Sequence, residues 1–462
     1  MSRDDGITQP VQGGAPDLDA WLGCVVGTAP NNPVGLRRWQ LDRAWQVVER
    51  VAAGNPFYRN RLRLPSARDA AAFRELSVTT KDDVVADCTA HPPYGSRTVC
   101  EPAASRQVVE TSGTSGRGTE VYLLDEQDEA AVALAEAVGF SWVGVQPGWR
   151  VLLTFPIATS AAGQWYYAGL RLLGANVLAV GSYPVERKLE VLQRYGADLV
   201  IATPSYLDRL AHACERANMD PHKLGVRSLL VGGEPFSKSW AAKTATRWGA
   251  PVFEQYGCTE RVFAWACPES AKRSDGPDVL HFTADNAYVE VIDPDSGSPV
   301  ADGQEGEVIV TPLHADASPL VRFATRDKVQ YRAPGSCACG RPLAGITAGR
   351  VQRYDDMMKI RAMNLWPRSI DAVVLDLPGV VEYRAVVRRG EGGDERIEFV
   401  IEPASDAIDP HHLVDEVVAV VQRSCGLRIS AVELTDPGAI SGSIPEGFVK
   451  VSRWTDRRNL AT

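Results

Sequence analysis

The chain has 462 residues, 45% of them hydrophobic and 23% charged, with a net charge of −9. Its length exceeds one ordinary domain and its composition supports large buried cores, so two or three domains are expected. The acidic balance excludes general binding to nucleic acid or to an anionic membrane surface, and no apolar run is long enough to span a bilayer.

The N-terminus, MSRDDGITQPVQGGAPDLD, is acidic and lacks the apolar stretch of a signal peptide. Nine cysteines are an odd and sparse set for this length, which fits a reducing, cytoplasmic setting better than a disulfide framework. Residues 36–53 place Trp39, Leu41, Trp45, Val48 and Val51 near helical spacing, so a helix opens the fold. From residue 150 short β-rich runs (150–157, 175–181, 197–204, 226–233 and 251–257) alternate with amphipathic helical stretches. Nearly continuous apolar strands separated by helices predict βα units around a buried, largely parallel sheet. After about residue 285 the texture is strand-rich. Near residue 356 a third texture begins: helix 368–376, strands 379–388 and 394–402, helix 411–424 and strand 428–435, a small α+β module. The expected class is α/β: a large N-terminal domain over 1–353 with mostly parallel sheets, flanking helices and a strand-rich subdomain, then a mobile α+β domain over 354–462.

Between Thr111 and Glu120 the chain is almost wholly Gly, Ser and Thr with one Arg, bounded by apolar strand-like runs. Backbone N–H groups, hydroxyls and a guanidinium with little to pack suit an anion-holding loop, most often for phosphate. It lacks the GxxxxGK[ST] pattern of a P-loop NTPase. Further along stand VGGEPFS (231–237), FEQYGCTE (253–260), VRFATRD (321–327) and RYDDMMKIRAMNLWP (353–367), with softer matches at TTKDD (79–83) and TPSYLDRL (203–210).

In this order and spacing the motifs resemble the adenylate-forming acyl ligases, specifically the phenylacetate–CoA ligase branch, from about residue 40 to the C-terminus. The resemblance implies that a carboxylate attacks the α-phosphate of ATP, giving an acyl-adenylate, and that a nucleophile, usually the thiol of CoA, then displaces AMP. It implies that Ser112, Gly113, Thr114, Ser115, Gly116 and Arg117 clasp the β- and γ-phosphates. Gly232, Gly233, Glu234 and Pro235 would form the adenine wall, with Tyr256, followed by Gly257, packing on the base. Thr259 would meet the α-phosphate, Glu260 would hold Mg²⁺, and Asp327 would accept the ribose hydroxyls. Arg353 matches the arginine near ribose and phosphate, Asp355 the interdomain hinge, and Lys450 the lysine of the adenylation step. The acid pocket is expected along 157–167, IATSAAGQWYY, with Gln164, Trp165, Tyr166 and Tyr167 facing Phe236. A small aromatic acid is the expected substrate, and a homodimer the expected assembly.

Cys267, His281, Cys337 and Cys339 add a second site: three thiolates and an imidazole are a closed tetrahedral set for Zn²⁺. Their two-part spacing resembles a structural zinc site of some phenylacetate–CoA ligases. One departure bears on the acceptor. The family reads I-[RK]-G-x-N after the hinge, and this chain reads Ile360, Arg361, Ala362, Met363, Asn364. In the family that glycine lines the pantetheine tunnel, and a Cβ there narrows it. Three readings therefore stand at this point. The first is an aryl acid–CoA ligase. The second is the same adenylation with another acceptor or substrate: carrier-protein loading, amide formation, or nitrite activation in an arylamine diazotase. The third is a nucleotide-binding homologue with weakened turnover.

Overall fold

The computed structural model describes residues 32–111, 119–361, 363–390, 394–405, 409–444 and 451–458. Helix α1 (Pro33–Gly54) starts where Asn32 accepts from the Gly35 amide at 3.1 Å. It buries Trp45, Val48 and Val51 in a cluster with Tyr58, Phe73 and Tyr288. The TTKDD stretch is the start of α3 (Lys81–Ala90), which follows α2 (Ala70–Arg74). Thr80 and Asp83 cap that start reciprocally, satisfying two otherwise orphaned amides. Thr79 is bonded to the Val321 and Arg322 carbonyls and bridges Phe323, which sets the start of α3 beside the start of β12 (Phe323–Arg332). A hairpin of β1 (Gln107–Glu110) and β2 (Val121–Leu124) brackets the Gly/Ser/Thr loop, and α4 (Glu126–Trp142) follows.

The alternating region folds as read. Strands β3 (Arg150–Leu153), β4 (Asn176–Ala179), β5 (Leu199–Ala202), β6 (Ser228–Val231) and β7 (Val252–Gly257) run parallel in the order β4-β3-β5-β6-β7. Helices α5 (Ala161–Leu172), α6 (Val185–Tyr195), α7 (Pro204–Arg216) and α8 (Lys238–Trp248) connect them. The strand-rich region is not a separate sheet. The chain reverses after β7, and β8 (Val262–Ala266) pairs antiparallel with it. The same sheet then runs on through β9 (Val279–Phe282) and β13 (Gly345–Thr347) to β12 (Phe323–Arg332), β11 (Glu305–Pro312) and β10 (Ala287–Ile292). Strand β14 (Gln352–Arg353) pairs with β12 and completes twelve strands. Gly257 permits the reversal: a Cβ there would lie 2.5 Å from Val262 Cα and 2.7 Å from the Arg261 carbonyl.

Beyond Arg353 lie a short hairpin, β15 (Met358–Ile360) and β16 (Met363–Leu365), and helix α9 (Pro367–Val374). The module is closed by β17 (Val380–Arg389), β18 (Glu395–Pro403), α10 (Pro410–Cys425), β19 (Ala431–Leu434) and β20 (Trp454–Asp456), in sheet order β19-β18-β17-β20. Ile370, Val374, Leu413, Val417 and Val421 of the helices cover Tyr383, Ala385, Val387, Ile397 and Phe399 of the sheet. No alternation in its three residues marks β20 in advance. Its place is fixed instead by the buried Arg453, which donates to Glu382 of β17 at 2.6 and 2.8 Å. The module meets the large domain through Lys243 to Asp376 (3.0 Å), Gln352 to Ser369 (2.6 Å) and Lys328 over the Trp366 ring (4.4 Å). Among the described residues no helix is long and apolar enough to cross a membrane.

Candidate active site

The carboxyl ends of β6 and β7, the start of β12 and strand β14 enclose a cleft of about 810 Å³. This is where an open parallel sheet binds its ligands, because loops diverge there and backbone donors are left free. Gly233, at φ +82°, turns the chain after β6 into this wall. Glu234 is fixed by donors from the Ser205 amide (3.0 Å) and hydroxyl (2.9 Å), which places Pro235 at the rim.

Tyr256, buried at the end of β7, donates to Asp327 Oδ2 at 2.7 Å. Burial and the Asp327 carboxylate hold its phenol well above the usual range, so it acts as a fixed donor. Asp327 faces Arg353 across the β12–β14 pair, with Arg353 Nη1 3.8 Å from Asp327 Oδ1. Arg353 also donates to the Thr325 carbonyl at 3.3 Å and lies 3.8 Å from Asp355. Asp355 accepts in addition from Arg326 Nε at 3.3 Å, joining the start of the C-terminal module to the strand that carries Asp327.

The turn from β7 to β8 presents Thr259 and Glu260 to the same cleft, the Cys258 amide closing on the Arg261 carbonyl at 2.9 Å. Glu260 is buried and accepts from the Tyr122 hydroxyl at 2.9 Å. A second buried carboxylate, Glu120, stands beside it and is paired with Lys81 Nζ at 2.9 Å. Burial and the neighbouring Glu260 push the Glu120 carboxyl up to about 7. At the opposite wall Glu254 accepts from the Gly349 amide at 2.6 Å, and burial raises it to about 8. Lys81, Glu120, Tyr122 and Glu254 were missed by sequence reasoning. For the first three a signal existed: a Lys opening a capped helix, and Glu and Tyr two apart on one face of the strand leaving the loop.

Ser112, Gly113, Thr114, Ser115, Gly116, Arg117, Ala362 and Lys450 lie outside the described residues. The aromatic slot requires correction. Trp165 and Tyr166 are 2% and 1% exposed and belong to the main core, Tyr166 edge-on to Phe140 and Phe155. Gln164 bonds the Ala158 carbonyl at 2.5 Å and Gln107 at 2.6 Å, so its amide is spent on the scaffold. Tyr167 is exposed on α5. Phe236 packs on Trp240 in a neighbouring chamber that Arg368, Asp371 and Arg453 close from the C-terminal module. The helical period that makes α5 amphipathic turns its aromatic face into the core, while loop 157–160, which follows β3, is exposed.

Cys267, His281, Cys337 and Cys339 converge, their ligand atoms all within 4.8 Å of one another. A zinc ion with Zn–S bonds of ~2.3 Å at the tetrahedral angle sets two sulfurs about 3.8 Å apart and a sulfur about 3.5 Å from an imidazole nitrogen. Cys267 and Cys337 are 3.7 Å apart and Cys339 lies 3.3 Å from His281 Nε2. His281 Nδ1 faces the Leu343 carbonyl at 3.4 Å, the outer partner that orients a ligating imidazole. The donor set and its spacing fit zinc. Cys339 is held well below the usual thiol range by the hydrogen bond from Cys267 and by His281, so a thiolate is already favoured there.

A family model described as AMP-binding enzyme matches residues 110–312. A phenylacetate–coenzyme A ligase of Thermus thermophilus is 29% identical over 400 residues, covering 85% of this chain and 88% of that protein. The fold superposes on a 2-hydroxyisobutyryl-CoA ligase in its postadenylation state with 2-HIB-AMP at TM-score 0.82, 25% identity, 92% of this chain and 90% of that one. The same ligase with 2-HIB-AMP and CoA, in its thioesterification state, gives 0.66 at 26% identity, again over 92% and 90% of the two chains. The posture of this chain is thus the nearer to the postadenylation one.

Proposed function

We propose that this chain, which belongs to the phenylacetate–CoA ligase-like branch of the adenylate-forming superfamily and is an AMP-forming acid–CoA ligase, takes a small aromatic carboxylic acid through its acyl-adenylate to the CoA thioester. The observation that carries this reading is one cleft lined by two groups, Tyr256, Asp327 and Arg353 and, with them, Thr259 and Glu260. The first group receives adenosine: an aromatic face for the base and a buried carboxylate for the ribose hydroxyls. The second receives the phosphates, with the Thr259 hydroxyl donating to the α-phosphate and Glu260 holding Mg²⁺. When bound, the magnesium neutralises phosphate charge as pyrophosphate leaves. Lys450 supplies the remaining positive charge between acid and α-phosphate. The chain then turns at Asp355, so that the C-terminal module, from residue 354 on, serves both half-reactions from one site. The acid lies against loop 157–160, and an aromatic ring is favoured for it because the curated relatives include enzymes named phenylacetate–coenzyme A ligase. A structural zinc at Cys267, His281, Cys337 and Cys339 ties the end of β8 to the loop after β12.

The test is ATP–pyrophosphate exchange over a panel of aryl, arylacetic and short aliphatic acids, with the products chromatographed with and without CoA. An aryl acid giving exchange, and acyl-CoA when CoA is present, is the expected result. Exchange with aliphatic acids alone would overturn the aromatic assignment, and an adenylate that CoA does not consume would point to another nucleophile. Lys450→Ala should abolish exchange yet spare thioester formation from supplied acyl-adenylate.

A further inference from the structure

We propose that Tyr122 and Glu120, braced by Lys81, are positioning residues that hold the Glu260 carboxylate in the orientation that receives the divalent cation accompanying ATP. The inference rests on the assignment of Glu260 to that cation. A tyrosine hydroxyl carries one proton, and here it faces two carboxylates: Glu260 Oε1 at 2.9 Å and Glu120 Oε1 at 3.3 Å. The shorter contact assigns the proton to Glu260. Glu120 does not compete for it with a free charge, because its other oxygen is paired with Lys81 Nζ at 2.9 Å.

Each member of the set is held by its own contacts. Lys81 opens α3 behind the Thr80 cap. The Glu120 amide donates to Thr111 Oγ1 at 2.9 Å, closing the end of the β1–β2 pair. The Tyr122 ring lies under the Arg97 guanidinium at 4.7 Å. Arg97 is itself fully buried and bonded to the Ser318 and Val121 carbonyls at 2.9 and 3.1 Å. A ring held this way offers its hydroxyl at a fixed place, so the hydrogen bond favours one orientation of the Glu260 carboxylate. Magnesium tolerates little departure from its preferred geometry, so a carboxylate free to rotate binds it more weakly. The arrangement also links the base of the phosphate loop to the metal carboxylate through one strand, Glu120 and Tyr122 lying two residues apart on the same face.

The experiment compares wild type, Tyr122→Phe and Glu120→Gln by magnesium titration of ATP–pyrophosphate exchange, and by calorimetry of ATP binding with magnesium and with chelator. Tyr122→Phe should raise the half-saturating magnesium about tenfold, the loss of one hydrogen bond to a charged group. It should leave the rate at saturating magnesium within about twofold and the affinity for metal-free ATP unchanged. Glu120→Gln, which keeps shape but not charge, should shift the magnesium dependence less. Manganese, which nitrogen and oxygen sites bind more tightly than magnesium, should restore the Phe variant at lower concentration. A uniform fall in rate with unchanged half-saturating magnesium would overturn the proposal and leave Tyr122 a packing residue. If wild type binds ATP but exchanges no pyrophosphate with any acid, the assigned reaction fails. The ratio of calorimetric affinities with and without magnesium still decides the role of Tyr122.

Discussion

Replacing Asp327 with Ala should cost both nucleotide affinity and the stability of the fold, the affinity by the larger amount. In the protein without nucleotide the carboxylate accepts from Tyr256 at 2.7 Å and faces Arg353 at 3.8 Å. Removing it leaves the buried Tyr256 hydroxyl without its acceptor, a loss of about 1–3 kcal/mol in stability. Arg353 keeps the Thr325 carbonyl and Asp355, so it is not stranded. With ATP bound, two charge-assisted hydrogen bonds to the ribose are lost as well, together about 2–4 kcal/mol, or roughly 30- to 900-fold in Kd. Isothermal titration should be run with ATP and 2′-deoxy-ATP on both proteins. Wild type should prefer ATP, and the Ala variant should bind the two nearly equally, because the group that reads the 2′-hydroxyl is gone. Unchanged ATP affinity, or a variant that still discriminates against the deoxynucleotide, would refute the ribose assignment.

Glu254→Gln should change the pH dependence of stability. The folded carboxyl titrates at about 8, above its unfolded value near 4.5, so the native state holds the extra proton in between. Stability from this group is full below the unfolded value and is lost as pH rises through the folded one. The Gln variant, neutral throughout and still able to accept from Gly349, should match wild type at pH 4 and exceed it in Tm at pH 9; equal profiles would mean the group is ionised in the fold. Zinc should copurify at about one ion per chain, and Cys337→Ser with Cys339→Ser should remove it and lower Tm, since metal binding contributes to folding. Metal analysis finding none in protein prepared without chelator would end that assignment. Trp165→Ala should destabilise by about 3–5 kcal/mol, the range for emptying a buried aromatic site, as read from denaturant midpoints. A folded variant altered only in acid preference would return Trp165 to the substrate pocket.

Local pattern and motif order were enough for the βα alternation from residue 150 to 257, the module after residue 356 and part of the cleft lining, Gly233, Glu234, Pro235, Tyr256, Thr259, Glu260, Asp327 and Arg353 among it. The reason is that these features are written in short-range terms: apolar runs bounded by turns, a glycine pair, a carboxylate at a fixed offset from an arginine. The four zinc-type ligands were legible too, since few other roles gather three thiols and an imidazole. What required the tertiary structure was the direction in which side chains face. The period of α5 marks Trp165 and Tyr166 as one apolar stripe but does not say whether that stripe meets ligand or core, and packing against Phe140 and Phe155 decides for the core. Likewise nothing local ties Lys81 and Glu120 to Glu260, which lie 179 and 140 positions away along the chain (260 − 81 and 260 − 120). Only the sheet that pairs the start of β12 with Thr79, and the β7–β8 reversal that turns Glu260 back toward the hairpin, join them, Lys81 pairing with Glu120 and the Tyr122 hydroxyl meeting Glu120 and Glu260.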